Sequence, residues 1–186
     1  MNYADTTLPG PAACGEDTVS GLAVQFACGH LTRLALPFDR IALQGMLQRM
    51  VQTVFAAADA PFVQLELLVA DEAYMEDLNR QSMDCAGPTN VLSFPASAPV
   101  VPATGGACAP SLPLAAGHAC RTEPLFLGSL VLAPHTLLRE AHLYGQEPEY
   151  YCIRLLAHGF SHLLGLDHGP EMDAVAGQIE GALRLR

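Results

Sequence analysis

A chain of 186 residues is long enough to bury a core as one domain without disulfide support, and a hydrophobic fraction of 51% excludes a disordered protein. The formal net charge of −10 excludes a generic nucleic-acid binder with a broad basic face. All 9 basic residues are Arg, whose planar fork suits phosphate, so a small local Arg patch stays compatible with RNA.

Residues 1–20 are rich in Gly, Pro, Ala and Thr and read as a loose leader. The opening MNYADTTLPGPAAC has neither a basic n-region nor a continuous apolar stretch, so no secretory signal is expected. No apolar run approaches the roughly 20 residues of a membrane helix, and the expected compartment is the cytoplasm. Thiols stay reduced there, and the 6 Cys contain no C-x-x-C pair. Leu22–Cys28 is a candidate first strand. From Asp39, a plausible N-cap, to about Ala58, apolar residues from Leu43 to Phe55 recur at three- and four-residue steps, the signature of a helix with one buried stripe. Phe62–Ala70 alternates at Val63, Leu65 and Leu67 before becoming continuously apolar, and reads as a strand. Asp71 can cap a short helix through Leu78 that turns Tyr74, Met75 and Leu78 inward.

Asn90–Phe94, bounded by Gly87-Pro88 and Pro95, is a further short strand. Residues 95–124 are dominated by Pro, Ala, Gly and Ser without a sustained period, and read as a long surface loop. Closure cost grows only logarithmically with loop length, so such an insertion is tolerable. Leu127–Leu132 returns to strand character. Pro134 suits the first turn of a helix ended by Gly145. Pro148 opens a longer helix to Leu164, with Gly165 as its left-handed terminator. Met172, Val175, Ile179 and Leu183 form the stripe of a last helix. Helices and strands do not alternate regularly, so the expected class is α+β in a single domain over residues 1–186.

The chemistry concentrates in His158-Gly159-Phe160-Ser161-His162-Leu163-Leu164-Gly165-Leu166-Asp167-His168. Residues four apart on a helix lie one above the other, so His158 and His162 can grip one ion. Gly165 adopts positive φ without steric cost and lets the chain bend, bringing His168 back toward the first two imidazoles. Three neutral nitrogens suit one zinc ion and leave a fourth coordination position open, as in catalytic sites. Asp167 is placed to orient a ligand imidazole or a bound water from outside the ligand set. The pattern nearly matches the metzincin signature H-E-x-x-H-x-x-G-x-x-H. It lacks the Glu that serves those proteases as general base, because that position is Gly159, and peptide hydrolysis is disfavoured on that ground.

With this motif, the chain resembles the bacterial YbeY family, zinc-dependent endoribonucleases of ribosomal RNA maturation. The resemblance continues through Leu78-Asn79, Pro88–Pro95, and Leu127–Leu132 followed by Arg139-Glu140-Ala141, and covers about residues 40–94 and 125–185. It implies a zincin-like α+β fold, a small mixed sheet of about four strands packed with about five helices, and a cleft above the metal. It further implies single-strand-specific metallo-endoribonuclease activity on ribosomal RNA in small-subunit maturation, with no DNA or membrane partner. Two positions depart from the family pattern. Met83 stands where the family usually has an Arg expected to meet RNA phosphate, and Ser129 stands where it usually has Asp. Arg80 is the candidate replacement for the missing Arg, or else a solvated helix residue. These departures and the acidic balance favour the alternative reading, a zinc-stabilised assembly factor that binds ribosomal protein or RNA without cutting.

Other residues carry weaker expectations. Thr89 and Asn90 either shape the cleft edge or serve turn and strand-start chemistry. Glu140 is either an acid–base group aimed at the metal or, the commoner fate, a solvated helix carboxylate. His118 with Cys120, and Cys28 with His30, make poor metal pairs. Met172 is expected in helix core. No residue is identified as general base or nucleophile, so the catalytic set is left open.

Overall fold

The computed structural model describes residues 21–55, 63–96 and 125–184. The leader at 1–20, most of the loop at 95–124, and the His118–Cys120 pair lie outside them. In chain order the elements are β1 (Leu22–Ala27), α1 (His30–Leu34), α2 (Arg40–Val54), β2 (Val63–Ala70), α3 (Glu72–Met83), β3 (Val91–Pro95), β4 (Leu125–Leu132), α4 (Pro134–Leu143), α5 (Pro148–Leu163) and α6 (Pro170–Arg184).

Local chemistry sets most boundaries. The Asp39 carboxylate accepts the Ala42 amide at 2.8 Å and starts α2, and Asp71 accepts the Tyr74 amide at 3.0 Å and starts α3. Pro134 and Pro148 open α4 and α5, where a missing N–H costs nothing. Helix α3 runs on to Met83, beyond the expected end at Leu78, and stops where Asp84 takes a left-handed conformation. Helix α1 is an addition to the five expected. It is only five residues long and exposes Leu31 and Leu34, so it has no buried stripe to read.

The sheet is mixed, in the order β1-β2-β4-β3, with β1, β2 and β4 parallel and β3 antiparallel to β4. Its two faces explain the two halves of the β2 pattern. Val63, Leu65, Leu67 and Val69 point to the main core, which α2, α4, α5 and α6 complete with residues such as Leu43, Leu47, Leu137, Leu156, Phe160 and Ile179. Leu68 and Ala70 point to the other face, where Met75 and Leu78 of α3 cover them together with Leu92 and Val131. A strand covered on both faces loses its alternation, as the second half of β2 does. Met172 is buried in the α6 stripe, as expected of helix core.

Gly128 of β4 is needed where the end of β3 lies close against it. A Cβ there would run into the Phe94 carbonyl oxygen, and its φ of 131° lies in the region that favours glycine. The sheet edge that adjoins α5 is β3, which meets the helix at Gly159, next to His158.

Candidate metal centre

Helix α5 supplies two of the three candidate ligands, and the turn after it supplies the third. The helix ends in a paired hydrogen-bond lock. The Gly165 amide donates to His162 O at 2.9 Å and the Leu166 amide to Ser161 O at 3.2 Å, with Gly165 at φ 85°. This reversal carries His168 back over the helix end. The ring centroids of His158, His162 and His168 then lie 4.7 to 5.2 Å apart. One nitrogen from each ring falls within 4.8 Å of the others, close enough for small side-chain rotations to close all three on one ion. This is the one such cluster among the described residues. Cys28 and His30, in particular, do not join one.

The tautomer of His162 follows from its partner. Its Nδ1 lies 3.0 Å from the Leu166 carbonyl oxygen, which can only accept, so Nδ1 carries the hydrogen and Nε2 keeps the lone pair. The group that orients His162 is thus a backbone carbonyl, and the Asp167 side chain is exposed. Burial, followed by repulsion from His162 and His168, holds His158 below the usual imidazole range. Burial also lowers His162, opposed by its bond to Leu166. Both shifts favour the neutral ring, the form that ligates a metal.

Gly159, beside the first ligand, packs directly on the sheet. Its carbonyl accepts the Ser93 hydroxyl at 3.1 Å. A Cβ at 159 would stand 3.0 Å from Leu130 Cδ2, 3.1 Å from Ser93 Oγ and 3.3 Å from Val91 Cγ2. The space where a metzincin carries its Glu is filled by β3 and β4.

The remaining sequence expectations resolve as follows. The Arg80 guanidinium turns back along α3 to Glu76 and Asp77, each at 2.9 Å, in exposed helix ion pairs. Met83 ends α3 with 47% of its surface exposed. Ser129 is buried and donates to Glu66 Oε2 at 3.1 Å, so a carboxylate from the neighbouring strand stands beside the position of the family's Asp. Glu140 is a half-buried carboxylate with partners on two other segments. Its Oε2 accepts Asn90 Nδ2 at 2.6 Å and the Tyr151 hydroxyl at 2.9 Å. Sequence reasoning missed this pairing because its partners are 50 and 11 residues away. Among the described residues Cys28, Cys85 and Cys152 are free thiols, and burial pushes Cys152 up to about 12. No described helix is long and apolar enough to cross a membrane.

Comparison with known proteins adds to this geometry. A family profile described as "Endoribonuclease YbeY" matches residues 35–178. The chain is 47% identical over 113 residues to the protein named Endoribonuclease YbeY of Nitratidesulfovibrio vulgaris, covering 60% of this chain and 66% of that one. It is 42% identical over 115 residues to the protein of the same name from Oleidesulfovibrio alaskensis, covering 59% and 64%. The matched segment thus spans just under two thirds of either relative. A third relative of that name, from Dinoroseobacter shibae, is 37% identical over 146 residues and is matched over 76% of its length, against 77% of this chain. The fold is shared with the solution structure of TM1509 from Thermotoga maritima, at a TM-score of 0.53 and 17% identity, over 87% of this chain and 88% of that one.

Proposed function

This chain belongs to the YbeY endoribonuclease family, and we propose that it is a zinc-dependent endoribonuclease that cuts single-stranded RNA during ribosomal RNA maturation. The observation that carries this reading is the convergence of His158, His162 and His168, with His162 Nε2 freed by the Leu166 bond. Three neutral imidazole nitrogens suit zinc better than a harder cation. When bound, zinc would supply Lewis-acid polarisation of a phosphoryl oxygen or acidify a water to a pKa of ~7. The protein's own part is to fix the three rings. Gly165 sets the bend, Leu166 sets one tautomer, and the Ser93–Gly159 contact holds the edge strand against the helix. Gly159 offers no side chain to take a proton, so peptide hydrolysis of the metzincin kind is not available to it.

In this reading the three rings and the cleft beside β3 belong to one domain spanning residues 1–186. The substrate is single-stranded ribosomal RNA of the small subunit, met in the cytoplasm. A second reading, a zinc-stabilised assembly factor that binds without cutting, is favoured by one observation. The α3 end that should meet phosphate presents Met83, while Arg80 is engaged by Glu76 and Asp77.

Cleavage of single-stranded RNA by highly purified protein, beside its His162→Ala variant, separates the two. The nuclease reading expects cutting by the wild type and none by the variant. Binding without cutting by both proteins gives the assembly-factor reading the place.

A further inference from the structure

Strand β3 is tied to α5 at two points. At one end the Ser93 hydroxyl donates to the Gly159 carbonyl at 3.1 Å, beside His158. At the other end the tie runs through Glu140 of α4, which receives both Asn90 and Tyr151 on the same oxygen, Oε2, at 2.6 and 2.9 Å. The spacings agree. Asn90 to Ser93 spans about 10 Å along a strand, and Tyr151 to Gly159 about 12 Å along a helix. The strand and the ligand-bearing helix therefore run side by side between the two anchors.

Asn90 has two further bonds at this corner. Its Oδ1 accepts the Val91 amide at 2.6 Å, and its backbone carbonyl accepts the Ala133 amide at 2.9 Å, just before α4. Tyr151 is 7% exposed, so its hydroxyl has little water to turn to if Glu140 is removed. One carboxylate oxygen near the end of α4 thus joins the entrance of β3 to the first turn of α5.

We infer that Glu140 is a positioning residue for RNA cleavage, holding β3 fixed against the ligand-bearing helix beside the histidine cluster. The assignment rests on the nuclease reading above. It makes a specific demand on chemistry, because both hydrogen bonds end on one oxygen. A Gln at 140 has one carbonyl oxygen and can accept both, whereas a Leu of similar size accepts neither.

The test compares wild type, Glu140→Gln and Glu140→Leu in zinc content, amide exchange over residues 90–94, and kcat and KM on single-stranded RNA. Glu140→Leu should keep its zinc, exchange the β3 amides about tenfold faster, and lose kcat by about tenfold to a hundredfold with a smaller change in KM. Glu140→Gln should stay within about twofold of wild type in each readout. Unchanged exchange and kcat in a folded Glu140→Leu protein would overturn the assignment. So would a Glu140→Gln variant as impaired as Glu140→Leu, since charge rather than position would then be at work. If Glu140→Leu does not fold, Tyr151→Phe removes one of the two bonds at nearly constant volume. It should give a smaller shift in the same readouts, and no shift would overturn the assignment. A wild type that cuts no RNA defeats the nuclease reading, and the exchange data still decide whether Glu140 holds the strand.

Discussion

Ser93 of β3 and Gly159 of α5 are joined by a 3.1 Å hydrogen bond at a point where the strand touches the bare helix backbone. The closeness depends on the absence of a side chain at 159. It brings the sheet edge directly against the residue that follows His158.

Gly159→Ala is therefore expected to destabilise the protein despite the better helix propensity of Ala. The added methyl gains roughly 0.5–1 kcal/mol of intrinsic helicity but presses on Leu130, Ser93 and the stiff, β-branched Val91, an overpacking cost of roughly 1–3 kcal/mol. A net loss of about 1 kcal/mol should appear as a lower urea midpoint with an unchanged slope. Gly159→Glu, the metzincin residue, should fail to fold stably. A Gly159→Ala protein more stable than wild type would show that the contact is looser than described.

Gly165→Ala tests the bend that delivers His168. A non-glycine residue at φ 85° costs about 1–2 kcal/mol, and any relaxation of the turn moves the third imidazole away from the first two. Thermal melting should fall by several degrees, and zinc affinity should fall with it. Lost stability with unchanged zinc affinity would mean that His168 is not a ligand.

Met83→Arg addresses the departure at the end of α3. An Arg there can contribute about 1.5–3 kcal/mol through a charge-assisted bond to phosphate, which Met cannot. RNA binding should strengthen, and the slope of log affinity against log salt should steepen by about one phosphate contact. Zinc content should not change. Unaltered affinity and slope would mean that position 83 does not face nucleic acid, and the non-cutting reading would gain.

Tyr151 gives a pH test of the corner around Glu140. Burial first, then the bond to Glu140, pushes its phenol up to about 12. The folded state therefore holds this proton more tightly than the unfolded chain does, whose phenol titrates near the ordinary value of ~10. The corresponding stabilisation is complete below pH ~10 and is lost as pH rises through about 12. Urea midpoints measured across that window should decline less steeply in Tyr151→Phe than in wild type. Identical declines would place the Tyr151 hydroxyl in ordinary solvent.

Much of this architecture can be read from the sequence where the governing interaction is local. The Asp39 and Asp71 caps, the buried stripe of α2 and the bend at Gly165 each depend on neighbours no more than five residues apart. The histidine cluster was legible for the same reason. Strand order was not, because β4 enters between β2 and β3 through pairings set by the whole fold. Nor was the tautomer of His162, since a backbone carbonyl such as that of Leu166 leaves no mark on residue type. Glu140 looked like a surface carboxylate because Asn90 and Tyr151 reach it only after α4, α5 and β3 have packed.

The most direct test of the central claim is a stepwise zinc titration of metal-free protein, followed by both bound metal and cleavage of single-stranded RNA. The account expects cutting to rise with bound zinc and saturate at about one equivalent, the capacity of a single three-histidine site. It expects neither binding nor cutting in His158→Ala or His162→Ala. Undiminished cleavage by the chelated protein, or by a His162→Ala variant that holds no zinc, would contradict it.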